Sequence, residues 1–471
     1  MRPIFLIFLF IFLQNIIVEA QSLTAVKVDS IIIEGNRKTK RRYVTRELTF
    51  QEGDTIALSA MSAELENNRL RLLNTTLFVS VKMNVVEWKE DNHVNIKIVC
   101  LENWFFYPVP IFELADRNFN VWWTEMKRDL RRTNYGFRLT YNNATGRRDP
   151  LSAQVQGGYT PRYSINYSQP YVNKKQNLGF NFGYSNSVNR EVGFDTDSNK
   201  IQFYSSKELV LQKRQSAYLG FSYTPGLFAS HSFSIGYNAN EVDTAISQRL
   251  NRDYYLDGKN KQKYFYFNYG SGIDKRDFRP YPQKGYLLVW GLTKNGLLPS
   301  DDVNTLDISV RMAQYNKLSA KFSVENIVKV RTSLIRDIRP YTNNRGLGFG
   351  GDNIRGYELY VVDGYDFAYS KNSLRFSIID KEFDWTSKTK KKWLKPWFLL
   401  PIKSYITFNF DAGYVNNPYD KRITNPLNNR VIYGGGVGID LLLWNNIYYR
   451  FEYSMNHLGE KGIFFNYSAG F

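Results

Sequence analysis

The ten residues Gly462-Ile-Phe-Phe-Asn-Tyr-Ser-Ala-Gly-Phe471 alternate without a break and end on an aromatic ring. Ile463, Phe465, Tyr467, Ala469 and Phe471 share one face, while Gly462, Phe464, Asn466, Ser468 and Gly470 share the other. A period of two belongs to a strand. An apolar face about ten residues long, opposite small and polar groups, is what a membrane-spanning strand of a closed barrel requires. The preceding stretch repeats the pattern with charge. Ile447, Tyr449, Phe451, Tyr453 and Met455 oppose Tyr448, Arg450, Glu452 and Ser454. Charged groups at every second position suit a wall with lipid outside and a wet lumen inside.

Composition fits that reading. Aromatic residues make up 16% of the chain and hydrophobic residues only 43%, with a mean hydropathy of -0.42. Interleaved lipid-facing and water-facing residues average to such values; an array of soluble β-sandwiches is the competing reading. Met1-Arg-Pro, the apolar run Ile4 to Ile17 and Val18-Glu19-Ala20 predict a secretory leader over 1–20,. An N-terminal anchor would need a longer apolar run. The single Cys100 excludes an internal disulfide and a Cys-rich zinc site, and three His argue against His-based metal chemistry,. A net charge of +18 in an exported chain suits anionic head groups or acidic partners rather than nucleic acid,.

Residues 21–102 read as a small α+β domain. Strands are expected over 25–33, 77–86 and 93–101, with helices over 39–48 and 59–73. In the second helix Met61, Leu65 and Leu72 form the apolar side and Ser59 the N-cap. Phe78, Val79, Val81 and Val85 lie on the strand expected at the sheet's edge. Residues 103–132, with Trp104-Phe-Phe-Tyr-Pro-Val-Pro and Val121-Trp-Trp, read as an interfacial linker or partial plug.

From 133 to 471 the pattern is strands only. They are expected at 134–142, 151–159, 161–168, 177–194, 200–212, 215–224, 231–239, 262–273, 285–295, 304–316, 319–335, 364–379, 404–416, 430–443, 446–456 and 462–471. That is an even number, about 16, as closure of a bacterial barrel demands. Thr160-Pro161, Thr196 to Asn199 and Asn445-Asn446 are tight connections, whereas 240–261, 336–363 and 417–429 are long. Short turns on one side and long loops on the other match periplasm and exterior. The connection 380–403 falls on the periplasmic side and is long.

Four local matches make the chain resemble the BamA/TamA superfamily of outer-membrane assembly and translocation proteins. The first is Ile33-Glu-Gly35-Asn36 to Thr39, with Arg46-Glu-Leu48, Gly53-Asp54 and Leu73 to Val81, similar to the family's polypeptide-transport-associated (POTRA) domain. The second is Gly350-Gly351-Asp-Asn-Ile354-Arg355-Gly356-Tyr357, which looks like the signature loop that folds back into the barrel. Its glycines allow tight bending, and Arg355 offers a planar fork for a carboxylate. The third, Phe408-Asn-Phe410-Asp411-Ala-Gly413, is similar to the family's aromatic-x-Asp-x-Gly strand. With Ile406, Phe408, Phe410 and Ala412 facing lipid, Asp411 turns inward toward Arg355. The fourth, Asp274 to Tyr286 with Pro282 and Gly285, resembles a periplasmic turn. One strand before Asp411 the chain has Ser373 and Arg375 where the family often carries a lumen Glu. Arg375 is therefore expected to compete with Arg355 for Asp411, Asp440 or Glu452.

The resemblance implies a factor that inserts or translocates unfolded or partly folded client polypeptides, embedded in the bilayer and open to accessory periplasmic proteins. It further implies a seam between the first strand (Tyr135, Phe137, Leu139) and the last (Ile463, Phe465, Tyr467, Phe471), and Phe471 as the terminal aromatic for barrel recognition. A two-partner-secretion translocator and a passive pore or receptor barrel are the alternatives. One POTRA-like domain is fewer than the general machine carries, which points to a specialised client. The basic run Lys388 to Trp397, with Lys and Trp interleaved, suits a head-group zone or a solvated face,. The chain contains no nucleophile elbow, paired-His motif or P-loop, so neither an enzyme nor a cofactor is expected,.

Overall fold

A computed structural model describes residues 25–89, 92–114, 119–206, 208–392, 394–420, 424–445 and 447–469. The leader expected over 1–20 and the terminal ring Phe471 lie outside the described residues. Among the described residues, no helix is long and apolar enough to cross a membrane.

The N-terminal domain runs β1 (Ala25–Glu34), α1 (Arg41–Thr45), β2 (Thr55–Ala57), α2 (Met61–Leu73), β3 (Phe78–Trp88) and β4 (His93–Glu102). Its sheet has the order β2-β1-β4-β3. Val28, Val44, Leu72, Val94, Ile96 and Ile98 form the core between helices and sheet. Gly35 turns the chain out of β1 at φ +90°, where a Cβ would stand 1.9 Å from the Cys100 carbonyl oxygen. Only glycine satisfies both demands. Cys100 itself is buried, and burial pushes its thiol up to about 12. Ser59 does not cap α2. A tighter helical turn over Leu58–Ala60 leads into the helix, so the cap position falls on Ala60, which makes no side-chain bond,. Phe78, Val79 and Val81 are buried and Val85 packs against the core, with β3 at the edge of the sheet.

The barrel begins earlier than its alternation suggests. β5 (Phe106–Leu114) is followed by α3 (Phe119–Thr124), then β6 (Thr133–Tyr141), β7 (Leu151–Gly158), β8 (Arg162–Gln169) and β9 (Leu178–Asn189). A separate two-stranded hairpin, β10 (Glu191–Asp197) and β11 (Lys200–Ser205), stands outside the wall. The wall resumes with β12 (Gln212–Tyr223), β13 (Ala229–Val242), β14 (Lys261–Asp274), β15 (Gly285–Asn295) and β16 (Thr305–Lys317). It ends with β17 (Phe322–Ser333), β18 (Asp366–Asp384), β19 (Leu399–Asn416), β20 (Val431–Leu443), β21 (Ile447–Asn456) and β22 (Lys461–Ala469). These form one 16-stranded antiparallel sheet in sequence order from β5 to β22, with β10 and β11 omitted.

Two expectations therefore change together. The segment 103–132 is no linker, because it contributes the first strand of the sheet. The stretch 200–212 is no single wall strand, since β11 pairs with β10 and only its last residue belongs to β12. One missed strand and one surplus strand cancel in the count, but every strand between them runs opposite to expectation. Thr160-Pro161 and Thr196 to Asn199 consequently lie at the end far from the N-terminal domain. Tyr135, Phe137 and Leu139 sit on β6, paired on both sides with β5 and β7, and are not at the seam. Among the described residues no ladder joins β5 to β22.

The N-terminal domain packs onto the barrel's near end. Phe278 and Tyr281, from the turn between β14 and β15, join its hydrophobic core. Asn74 Nδ2 donates to the Asp277 carbonyl at 2.9 Å, and Arg279 N donates to Asn74 Oδ1 at 2.8 Å. Glu47 is the polar hub of this contact. Its carboxylate lies 3.2 Å from Arg148 and 3.3 Å from the Tyr171 hydroxyl, both on barrel turns, and 3.5 and 3.6 Å from Arg46 and Arg71 of its own domain. Glu47→Ala leaves three half-buried guanidinium groups without their shared carboxylate, an expected loss of roughly 2 kcal/mol of docking energy,. Spin labels on α2 and on the 143–148 turn should then report a broadened distance distribution; an unchanged one refutes this role for Glu47.

Candidate functional site

The connection 334–365, between β17 and β18, turns back into the barrel. Leu347, Ile354, Tyr357 and Val362 pack there against Phe367, Tyr369, Val415, Leu427 and Ile432. Burying this apolar side fastens the segment to the wall. Polar bonds fix its register. Lys329 Nζ reaches Asp352 at 2.6 Å, the Tyr369 hydroxyl donates to Asp352 at 3.1 Å, and Asn456 Nδ2 donates to the Gly356 carbonyl at 2.9 Å. The Tyr357 hydroxyl bonds His457 Nδ1.

Arg355 stands at the centre. Its Nη1 donates to Asp411 Oδ1 at 2.6 Å, its Nη2 to Ser373 Oγ at 3.2 Å, and its Nε lies 3.2 Å from the Glu452 carboxylate. The backbone N–H of Arg355 adds a bond to Asp411 Oδ2 at 3.3 Å. The Arg355 side chain is 9% exposed, Asp411 0% and Glu452 3%, so all three charges are buried. There a planar fork satisfies acceptors from β18, β19 and β21 at once. Such a group stitches loop to wall.

Room for the loop comes from glycine. A Cβ on Gly434 would stand 2.2 Å from the Arg355 carbonyl oxygen. Gly356 has φ +80°, and its Cβ would meet the backbone of Met455 and Asn456 at 2.9 Å. Gly413 lies under Ile354 and Leu347, while Gly350 and Gly351 make the bend at positive φ before the anchor.

Arg375 does not compete for the anchor. It pairs with Glu325 at 2.5 Å, donates to the Pro282 carbonyl at 2.8 Å and stacks over Tyr281 at 4.3 Å. Asp440 accepts a two-pronged bond from Arg450 at 2.8 Å and one from the Tyr281 hydroxyl at 2.8 Å. Arg375 and Arg450 each have a carboxylate on the adjacent strand, and Glu452, 4.0 Å from Arg450, links the second pair to the Arg355 site. Glu452 and Ser454 are buried under the loop, and a polar cavity of about 370 Å³ lined by Lys371, Arg375 and Arg450 adjoins the site. Lys329, Gly434 and Asn456 were missing from the sequence reading, while Asp352 and Ser373 stood in it without these bonds. The run Gly434-Gly-Gly436 was the available signal, since glycine inside a strand marks close approach of another backbone.

The model of the Omp85 superfamily domain matches residues 143–443. The chain belongs to the Omp85 superfamily. A model of the POTRA module, described as a surface antigen variable number repeat, matches residues 26–100. BamA from Haemophilus ducreyi lacking POTRA domains 1-3 shares the fold at 16% identity and a TM-score of 0.52, over 94% of this chain and 84% of that one. CdiB from Escherichia coli does so at 11% identity and a TM-score of 0.55, over 94% and 76%. Identities this low speak for the fold alone. No curated protein sequence matches the chain. As an Omp85 protein it is an outer-membrane barrel whose family-level work is polypeptide assembly or translocation. The Omp85 match stops short of β5, β6, β21 and β22, the strands at the two ends of the sheet.

Proposed function

We propose that this Omp85 protein inserts or translocates client polypeptides, acting through the gap between the ends of its sheet with its POTRA domain in the periplasm. The observation that carries the reading is a sheet that no described ladder closes, around a lumen occupied by the Arg355 loop. Unpaired strand edges in lipid are costly, so such a gap favours an added strand. The open edge of β3 gives the POTRA domain a place to add an incoming peptide by β-augmentation,. The reading needs neither a catalytic step nor a nucleotide, since client folding supplies the driving force. A passive pore is disfavoured by the Arg355 loop packed inside the barrel. Depleting the protein should lower the abundance of a specific set of outer-membrane or surface proteins in quantitative proteomics of that fraction. An unchanged profile with altered solute uptake would favour the pore instead.

A further inference from the structure

Alternate residues of β5 and β6 face outward, and next to the N-terminal domain that outer row finishes on two rings. Phe106 and Tyr141 are register partners that meet edge-on, with ring centres 5.7 Å apart. Farther along the same face Phe112, Phe137 and Leu139 are exposed, as lipid-facing positions must be,. The two rings therefore stand where hydrocarbon gives way to head groups. Tryptophan marks the same level. Trp397, in the connection between β18 and β19, has its ring centre 5.5 Å from that of Trp104 and 5.9 Å from that of Trp444. Phe383 and Trp385, stacked 5.6 Å apart where β18 ends, are also exposed.

A cavity of about 450 Å³ lies at this level, between the N-terminal domain and the wall. Arg37 and Lys38 of the domain line it together with Lys392 and Lys395 of the β18–β19 connection, beside Phe106 and Tyr141. Lys38 sits over the Tyr141 ring at 3.9 Å and bonds its hydroxyl. An ammonium has three N–H groups, so two remain for another partner. The carboxylate lining the cavity, Glu102, is already engaged. It accepts from the backbone N–H groups of Lys38 and Thr39 at 3.1 and 2.7 Å. Among the described residues Arg37, Lys392 and Lys395 form no salt bridge. Four cations from two separate segments thus share a small space, and like charges repel unless an anion lies among them.

We propose that this cavity holds the anionic head group of a membrane phospholipid, whose phosphate is the shared counter-ion joining the N-terminal domain to the β18–β19 connection. The cations meet the phosphate, and the outward rings of Phe106 and Tyr141 meet the start of the acyl chains. A free phosphate would satisfy the charge and leave those rings unmatched. With the POTRA domain in the periplasm, as proposed above, the lipid belongs to the periplasmic leaflet. The site is independent of what the barrel transports, and it gives the bilayer a direct hold on the angle of the domain.

Native mass spectrometry of the full-length protein in detergent, titrated with phosphatidylglycerol, tests this. The parent should bind phosphatidylglycerol more tightly than phosphatidylcholine, and inorganic phosphate should not displace it. Taking about fivefold per cation, Arg37→Gln should weaken binding about fivefold and Lys392→Gln with Lys395→Gln about 25-fold. Lys174→Gln with Lys175→Gln is the matched control. It removes two exposed cations at the same end of the barrel, beside the Gln176 carbonyl that accepts from Arg46. Heat-modifiability on gels checks that each variant is folded, and the control should bind as the parent does. Equal weakening in the control, unchanged binding in the Lys392 and Lys395 pair, displacement by inorganic phosphate or no preference over phosphatidylcholine overturns the site. The depletion proteomics reads the assembly function separately, so a changed proteome beside failed lipid binding removes only this inference.

Discussion

Arg355→Ala is expected to free the 334–365 segment from the lumen and abolish client delivery while the barrel itself survives. Removing the guanidinium leaves Asp411 and Glu452 buried without their cation, and breaking one side of a buried pair costs about 3–5 kcal/mol,. That penalty falls on the loop rather than the wall, whose ladders run from β5 to β22 without using Arg355. Limited proteolysis should cut within 334–365 in the variant and spare it in the parent, with heat-modifiability retained in both. Arg355→Lys keeps the charge but loses the fork that spans three strands, so an intermediate result is expected. Full client delivery with a protected loop in Arg355→Ala would sink the anchoring role.

Gly434→Val should give the same phenotype by another route. Valine brings carbon into the space held by the Arg355 carbonyl oxygen, 2.2 Å from where its Cβ must stand. Either the loop retreats or β20 bows, and β20 is held by ladders on both sides while the loop is held at points. All acceptors for Arg355 remain in this variant, so loop release would show that close approach is as necessary as charge. A loop still protected from protease in Gly434→Val would mean that the wall yields instead.

Much of this was legible in the alternation. The inward turn of Asp411 follows from the lipid-facing parity of Phe408 and Phe410, and the exposed rings of Phe451 and Tyr453 lie where a period of two puts them. Alternation has two blind spots. It identifies Ile201 and Phe203 as strand residues but cannot say that their partner is the neighbouring hairpin strand rather than the wall. It also fails at Phe106-Tyr-Pro-Val-Pro-Ile, where the prolines read as breakers although an edge position makes them harmless. Ion pairing was harder still. Arg375 reaches Glu325 diagonally across to β17, and nothing local in either strand announces the other.

Asn199, at the tip of the β10–β11 hairpin, is fully buried. It donates to the Val361 carbonyl at 3.1 Å and accepts from Val361 N at 2.8 Å; its own N–H reaches Asn425 at 2.9 Å, and its Oδ1 accepts from Leu427 N at 2.9 Å. One residue, through side chain and backbone, thereby ties three loops at the far end into a single plate. With the POTRA domain in the periplasm as proposed, an antibody or phage at the opposite end would meet a shared epitope rather than independent fingers. Sequence change at one tip is then constrained by the other two, and drift should be slowest where the three converge.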